Sequence, residues 1–422
     1  MHIAVSGSGY LATIISACIA DFGMPVTCFD TDGARIMELA QGNIPFFEKN
    51  LKEVVKRNVR SGRLIYSTDP EAHTRRAQVI FIASDSYRLL EERCLEISAI
   101  APPDAVLVIC TPAPVGTIGK VERAVRKAGG MQSVVCHPLF LTGGCAVEDF
   151  NWPDRILLGT SSSHGVAQIK NVYRPLVMRG IPVIVTNYET AELAREASTA
   201  FVATKISFIN ELANLCERVN ADAVDLALAL GLDKRIAPRC LQAGVGFGGS
   251  FVESEMDSLA LLASNNGVSL KVLSAARDVH RNYSDRIVSK IENALDTLRG
   301  KDIGLLGLAF KPHTNSVAGS SSILLARGLT TGGAKVSAYD PVAIPEAQAE
   351  LNSSVRFCET AYAAVEGMDA LVVGTGWPEF RALDFERVKR LLRRPIIVDT
   401  KNLLDSERLR SMGFNYMGVG RA

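Results

Sequence analysis

Apolar residues fall into two rhythms along the chain. Short runs rich in β-branched residues ("HIAVSG", "PVTCFDTD", "QVIFIAS", "AVLVICTP", "SVVCHP", "RILLGT", "PVIVTN") alternate with segments of helical length through the first part. Such runs read as a parallel sheet with helices on both faces. From about Asn187 to Ile291 the strand signals cease. There "ETAELAREASTAFVATKISFINELANLCERV" keeps apolar positions at helical spacing and predicts one long, largely buried helix. "ADAVDLALALG" and "HRNYSDRIVSKIENAL" predict further helices, and after "RGKD" the alternation resumes with "IGLLGLAF", "KVSAYDP", "ALVVGT" and "PIIVDT". The expected fold is α/β: two Rossmann-like, doubly wound parallel-sheet domains, residues 1–188 and 298–422, joined by an all-helical segment, 189–297.

Composition narrows the class without naming a reaction. The chain has 422 residues, 47% of them apolar and 22% charged, which is enough material for two or three buried cores. Lys and Arg total 46 against 45 Asp and Glu, so no overall field favours nucleic acid or an acidic membrane. The nine cysteines are odd in number and form no C-x-x-C pair, which argues against a zinc site or a disulfide framework. "MHIAVSGSGY" reads as a first strand and not as a signal peptide, and no run is long enough to span a bilayer. A cytoplasmic protein with no metal, nucleic-acid or membrane partner is expected.

The first strand runs into Gly7-Ser8-Gly9, with Ala12 where a third glycine often stands. Gly7 permits the tight turn, and Gly9 lets a pyrophosphate approach the free N–H groups at a helix start. Asp30 ends the second strand 21 residues after Gly9, where a carboxylate accepts hydrogen bonds from ribose hydroxyls and repels a 2′-phosphate. NAD is therefore expected rather than NADP, although Arg35 stands nearby.

A second glycine loop, "GVGFGGSFVESEMDSLA" (244–260), raises a question. Closely spaced glycines let a backbone turn sharply and usually present a reactive side chain, yet this turn delivers Phe251 and Val252.

The chain resembles the UDP-glucose/GDP-mannose 6-dehydrogenase family over nearly its whole length. The resemblance rests on "GSGY" with Asp30, "PAPVGT" (112–117), "AVEDFNWPDRILLG" (146–159), "AFVATKISFINELANLCE" (200–217) and "GVGFGGS" (244–250). It continues through "GLLGLAFKP" (304–312), "AYDP" (338–341), "WPEFRALD" (377–384), "VDTKNLLD" (398–405) and "GFNYMGVGR" (413–421). It implies an N-terminal NAD domain, a central dimerisation domain and a C-terminal domain for a nucleotide-sugar. It also places Gly7, Gly9, Tyr10, Leu11, Asp30, Arg35 and Ser86 at the cofactor. Phe247, Gly248, Gly249, Ser250, Lys311 and Lys401 fall at the substrate, with Lys401 where an arginine is usual.

The family oxidises a sugar alcohol to a carboxylate with two NAD⁺, through a cysteine in the motif G-G-S-C-F-P-K-D. This chain reads "GGSFVESE": Phe251 stands at the nucleophile, Ser254 at the lysine and Glu255 at the aspartate. A phenyl ring can form neither thiohemiacetal nor thioester. Other positions depart too. Leu139 replaces the glutamate that activates water, Pro112 the water-binding threonine, and Arg195 and Thr199 the lysine and asparagine of the alkoxide site. "SDSY" (84–87) replaces V-G-T-P, and "TNSVAGS" (314–320) replaces T-D-D-x-R-E-S.

Two readings follow. One is a repurposed NAD-dependent oxidoreductase making a single hydride transfer on a nucleotide-sugar or related alcohol. In it Arg195 stabilises the alkoxide, and Glu255, or His137 at the end of the "SVVC" strand, takes the proton. The other is a non-catalytic binder of NAD or a nucleotide-sugar, or a regulatory partner of an active paralogue. Cys110 and Cys145 lie near site loops but read as buried thiols, and His280 and His313 read as core or surface residues.

Overall fold

The computed structural model describes residues 1–84 and 86–421, and of Ser250 and Phe251 the backbone alone. The chain divides into two compact units, Met1–Ala197 and Ser198–Ala422.

The first unit is built on an eight-stranded sheet: β1 (Ile3–Ser6), β2 (Val26–Phe29), β3 (Leu64–Ser67), β4 (Val79–Ile82), β5 (Val106–Ile109), β6 (Ser133–Cys136), β7 (Ile156–Gly159) and β8 (Val183–Thr186), in spatial order 3-2-1-4-5-6-7-8. Strand alternation divides its core. Ile3 and Val5 of β1 join one apolar cluster, and Ala4 between them joins the cluster on the opposite face. Both faces are covered, so β1, β2, β4 and β5 are buried at every position. The strands β1 to β6 are parallel, but β6 meets β7 antiparallel through a single pairing, Cys136 with Gly159, and β8 follows β7 in parallel. The only helix between β6 and β7 is Ala146–Asn151, about 9 Å long, too short for a full return crossover along the sheet.

The second unit carries a six-stranded parallel sheet: β9 (Asp302–Leu306), β10 (Lys335–Tyr339), β11 (Val355–Phe357), β12 (Ala370–Val373), β13 (Ile396–Asp399) and β14 (Asn415–Gly418), in order 11-10-9-12-13-14. In each sheet the strand order reverses once, between β1 and β4 and between β9 and β12. Ligands of open α/β sheets bind at the carboxyl ends beside such points.

Six helices carry the argument below: α1 (Tyr10–Asp21), α2 (Thr117–Lys127), α3 (Tyr188–Val219), α4 (Ser250–Asn265), α5 (Lys271–Arg281) and α6 (Ser321–Thr331). The long helix α3 differs from expectation in its burial. Ala203, Ile209, Ala213 and Cys216 are buried, but Phe201 is 65% exposed, Phe208 52% and Leu215 54%. The helix is apolar on more than one face, and within one chain a single face finds partners. The next helix, Ala223–Leu232, likewise exposes Leu228 and Leu232. Among the described residues no helix is long and apolar enough to cross a membrane.

Candidate active site

In the first unit the loop after β1 is pressed against the end of β4. Gly7 has φ +125°, and a Cβ there would lie 2.3 Å from the Ala83 carbonyl oxygen. Only glycine fits both the angle and the space. The Ser8 hydroxyl donates to Asp30 Oδ2 at 2.9 Å, and the Asp32 N–H donates to Oδ1 at 3.2 Å, fixing the carboxylate at the end of β2 beside the loop. Helix α1 begins after Gly9 with no side-chain cap and no acid in its first turn. Its first N–H groups and positive dipole end thus face the loop, the arrangement that receives a pyrophosphate. These features fit a dinucleotide.

The other expected cofactor residues lie around this turn. Leu11 is half-buried against the apolar core and Arg35 stands on the helix Gly33–Ala40, whose N-terminus Asp32 caps. Ser86 is exposed in the loop after β4, and Asp85 lies outside the described residues. The Tyr10 hydroxyl donates to Glu48 Oε2 at 2.6 Å, and Glu48 also accepts from the Gly144 and Ala146 N–H groups. Glu48 therefore ties α1 to the helix Ala146–Asn151. No helical or strand rhythm in "PFFEKN" marks that buried acid.

Arg195 lines a narrow cavity at the carboxyl ends of β5 and β6, together with Cys110, Pro112, Pro138, Glu192 and Glu196. Glu192 and Glu196 are both buried. Glu192 Oε2 accepts from the Gly116 N–H at 2.7 Å and Oε1 from the Ile118 N–H at 2.8 Å, so this carboxylate caps α2 and anchors α3 over the cavity. Burial raises its pKa, and the backbone N–H groups of Ile118, Gly116 and Thr117 oppose the rise. Spacing on α3 puts Glu192, Arg195 and Glu196 on one face, but which loops that face meets is visible only in the fold.

His137 does not join this cavity. Cys136 and Pro138 line it, whereas the imidazole between them is buried with Nδ1 2.9 Å from the Leu157 carbonyl oxygen and Nε2 3.0 Å from the Tyr173 hydroxyl. The carbonyl can only accept, so Nδ1 carries the proton and Nε2 accepts from the tyrosine. Burial pushes the imidazole down to about 4. The base role expected of His137 is thus corrected: both nitrogens are engaged away from the cavity. Cys110 is likewise buried, its thiol pushed well up by desolvation.

This histidine has a consequence for stability. Its pKa falls from 6.5 to about 4 on folding, so the unfolded chain binds the extra proton between those pH values. Stability is fully present above pH 6.5 and is lost as pH falls toward 4, by about 3 kcal/mol from this group. Urea titrations across that range should show His137→Gln with a correspondingly flatter pH slope. An unchanged slope would contradict the assignment.

In the second unit the glycine loop 244–249 is held on three sides. The Gly244 N–H donates to Asn210 Oδ1 at 2.9 Å, and a Cβ at Gly244 would lie 2.8 Å from the Thr400 carbonyl oxygen. The Phe247 ring stacks on His280 of α5 at 3.7 Å, and Gly246, with φ +91°, passes against the same imidazole. His280 is therefore a brace for the loop. Phe247 was expected at the substrate, but its ring is buried in this stack. Gly249 has φ +103° and meets the Phe310 ring, while a Cβ at Gly248 would lie 2.7 Å from the Gly319 carbonyl oxygen. The loop thus borders the carboxyl ends of β9 and β13, where Lys311 and Lys401 follow. Asp340 shapes that edge: its carboxylate accepts from the backbone N–H groups of Leu308, Ala309, Val342 and Ala343 and from Trp377 Nε1. Glu255 is buried on α4 in this unit. The side chains of Ser250 and Phe251, the expected substrate contact and the nucleophile position, lie outside the description.

Among the described residues no cluster of His, Cys, Asp and Glu is placed to hold a metal.

Comparison with known proteins covers the whole chain. Residues 1–177 match the NAD binding domain of the UDP-glucose/GDP-mannose dehydrogenase family, 189–282 its central domain and 304–406 its UDP binding domain. The UDP-glucose 6-dehydrogenase TuaD of Bacillus subtilis is 37% identical over 431 residues, covering 99% of this chain and 93% of the relative. A UDP-glucose 6-dehydrogenase of Rhizobium meliloti is 37% identical over 436 residues and matches along the full length of both chains. The solved structure of a UDP-glucose dehydrogenase from Pyrobaculum islandicum superposes with a TM-score of 0.88 at 31% identity, covering 100% of this chain and 98% of that one.

Proposed function

The chain belongs to the UDP-glucose/GDP-mannose dehydrogenase family and is an NAD-binding, oxidoreductase-like protein; from that premise we propose that it makes a single two-electron oxidation of an alcohol on a nucleotide-linked sugar and stops at the carbonyl. The observation that carries this reading is a conjunction. Gly7, Gly9, the uncapped start of α1 and Asp30 fit a dinucleotide, while position 251, where the resemblance places the nucleophile, is phenylalanine.

NAD supplies the hydride acceptor. The protein's own part is to hold the alcohol, take its proton and stabilise the oxygen as negative charge develops there. Arg195 is suited to the last task because a guanidinium stays charged and donates several N–H groups. Glu196, buried on the same cavity wall, is the carboxylate of the first unit best placed to accept the proton. It takes precedence over His137, whose nitrogens are engaged. Lys311 and Lys401 border the glycine loop and supply positive charge for a diphosphate.

The exposed apolar face of α3, with Phe201 and Phe208, fits a second copy of the chain and makes a homodimer the expected assembly. A panel of nucleotide-linked sugars and NAD, followed by NADH absorbance, tests the proposal. Turnover with at least one member is expected. Tight NAD binding with no turnover on any member would favour the non-catalytic reading, to which the many replaced site positions also lend weight.

A further inference from the structure

After β14 the chain runs through Gly418, Val419, Gly420 and Arg421, and this short segment is tied down from two directions. Toward α3, the Gly420 N–H donates to Glu217 Oε1 at 2.9 Å, and the Gly420 carbonyl accepts from the Ala223 N–H at 2.8 Å. Arg421 Nε donates to Asp222 Oδ2 at 2.8 Å, and Lys290 bridges Glu217 Oε1 and the Gly418 carbonyl. Gly420 has φ +70°, and a Cβ there would lie 2.4 Å from the Ala223 Cβ and 2.7 Å from the Ala213 Cβ. Only glycine lets the segment lie this close to α3.

Toward β13 a single side chain holds it. Asn402 Nδ2 donates to the Val419 carbonyl at 2.8 Å, and its Oδ1 accepts from the Val419 N–H at 3.0 Å, pairing with the backbone as a neighbouring strand would. Asn402 has φ +48°, a left-handed conformation that asparagine tolerates better than most residues. It directly follows the half-buried Lys401 in the turn after β13. The glycine loop restrains the same turn. A Cβ at Gly244 would lie 2.8 Å from the Thr400 carbonyl oxygen and 3.7 Å from Lys401 Cδ, and the Gly244 N–H is fixed by Asn210 of α3 at 2.9 Å. Asn210, Ala213 and Glu217 recur at helical spacing and share one face of α3. That face therefore carries both restraints on Lys401: the glycine loop against Thr400, and the C-terminal segment through Asn402.

We propose that residues 418–421 form a strap that positions Lys401, through Asn402, for a nucleoside diphosphate. Asn402 is the positioning residue, its amide committed to Val419, and Lys401 is the contact. A lysine stem has several rotatable bonds, and fixing the backbone from which it leaves lowers the ordering cost of binding. The role rests on the proposed function only in taking Lys401 as a diphosphate contact.

The test measures the affinity of the full-length protein for UDP and for NAD by calorimetry. Asn402→Gly permits the left-handed backbone and removes both bonds to Val419. It is expected to weaken UDP binding about tenfold and to leave NAD affinity unchanged. Combining it with Lys401→Ala separates positioning from general loosening: if Asn402 acts through Lys401, the double variant binds UDP no more weakly than Lys401→Ala alone. Asp222→Ser keeps a capping residue on the helix Ala223–Leu232 but frees Arg421 at the other end of the strap. Losing an acid would by charge alone favour an anion, so the expected weakening of UDP by about threefold reports the strap, and it does so even if Asn402→Gly does not fold. Wild-type UDP affinity in both single variants would overturn the proposal, as would additive losses in the double variant or a parallel loss of NAD affinity. A wild-type protein that binds no UDP would overturn the diphosphate reading of Lys401 and the strap with it. The expected UDP pattern in a protein that forms no NADH would support the strap and count against the proposed oxidation alone.

Discussion

Replacing Phe251 by cysteine is expected to leave the protein unable to release a uronic acid from a nucleotide-linked hexose. A thiol at that position supplies one of the groups that the second oxidation requires, but not the others. The resemblance places a water-activating glutamate at position 139 and a water-binding threonine at 112. This chain has Leu139, half-buried against the apolar core of the first sheet, and Pro112 on the wall of the Arg195 cavity. A thioester formed on the variant would persist as a covalent acyl-enzyme, because nothing at those two positions can orient or deprotonate water. Mass spectrometry should find either unmodified Phe251→Cys protein or an acylated form, with no free uronate above background. Catalytic release of uronate by this single variant would mean that positions 112 and 139 have been given the wrong roles.

On any alcohol that supports NADH formation, Arg195→Ala should lower kcat by about 100-fold, close to 3 kcal/mol, with NAD affinity unchanged. The asymmetry is the informative part. Arg195 lines the cavity at the ends of β5 and β6, whereas the cofactor contacts expected of Gly7, Gly9 and Asp30 lie at the ends of β1 and β2. Arg195→Lys should recover part of the loss, since the charge survives but the forked donor geometry does not. Equal losses in kcat and NAD affinity would assign Arg195 to the cofactor; no loss would remove it from the reaction.

Much of the fold was legible in the sequence, for a physical reason. Strands buried on both faces are mostly apolar, so β1, β4, β5, β9, β12 and β13 announce themselves as nearly unbroken apolar runs. The strands β3, β11 and β14 carry no such signal because each lies at a sheet edge, where some positions face solvent and no unbroken apolar run is needed. The strand β8 shows the reverse: an apolar run that marks a strand, though Ile184 and Val185 are exposed at the other edge.

The dinucleotide turn could be read because its chemistry is local: two glycines and an acid at the next strand end. The rest of the site depends on side-chain direction. His137 lies at the expected sheet end, but the alternation of Cys136, His137 and Pro138 turns it away from the cavity. Glu48, Glu192 and Glu196 depend on contacts between segments far apart in the chain, which no local rhythm records.

The account turns on how far oxidation proceeds, and product analysis of the unmodified protein decides it. With NAD in excess and a nucleotide-linked sugar that it turns over, the ratio of NADH formed to sugar consumed should be one. The product should lose two mass units and be an aldehyde or ketone that borohydride reverts to an alcohol. A ratio of two, with a carboxylate as the product, would contradict the account.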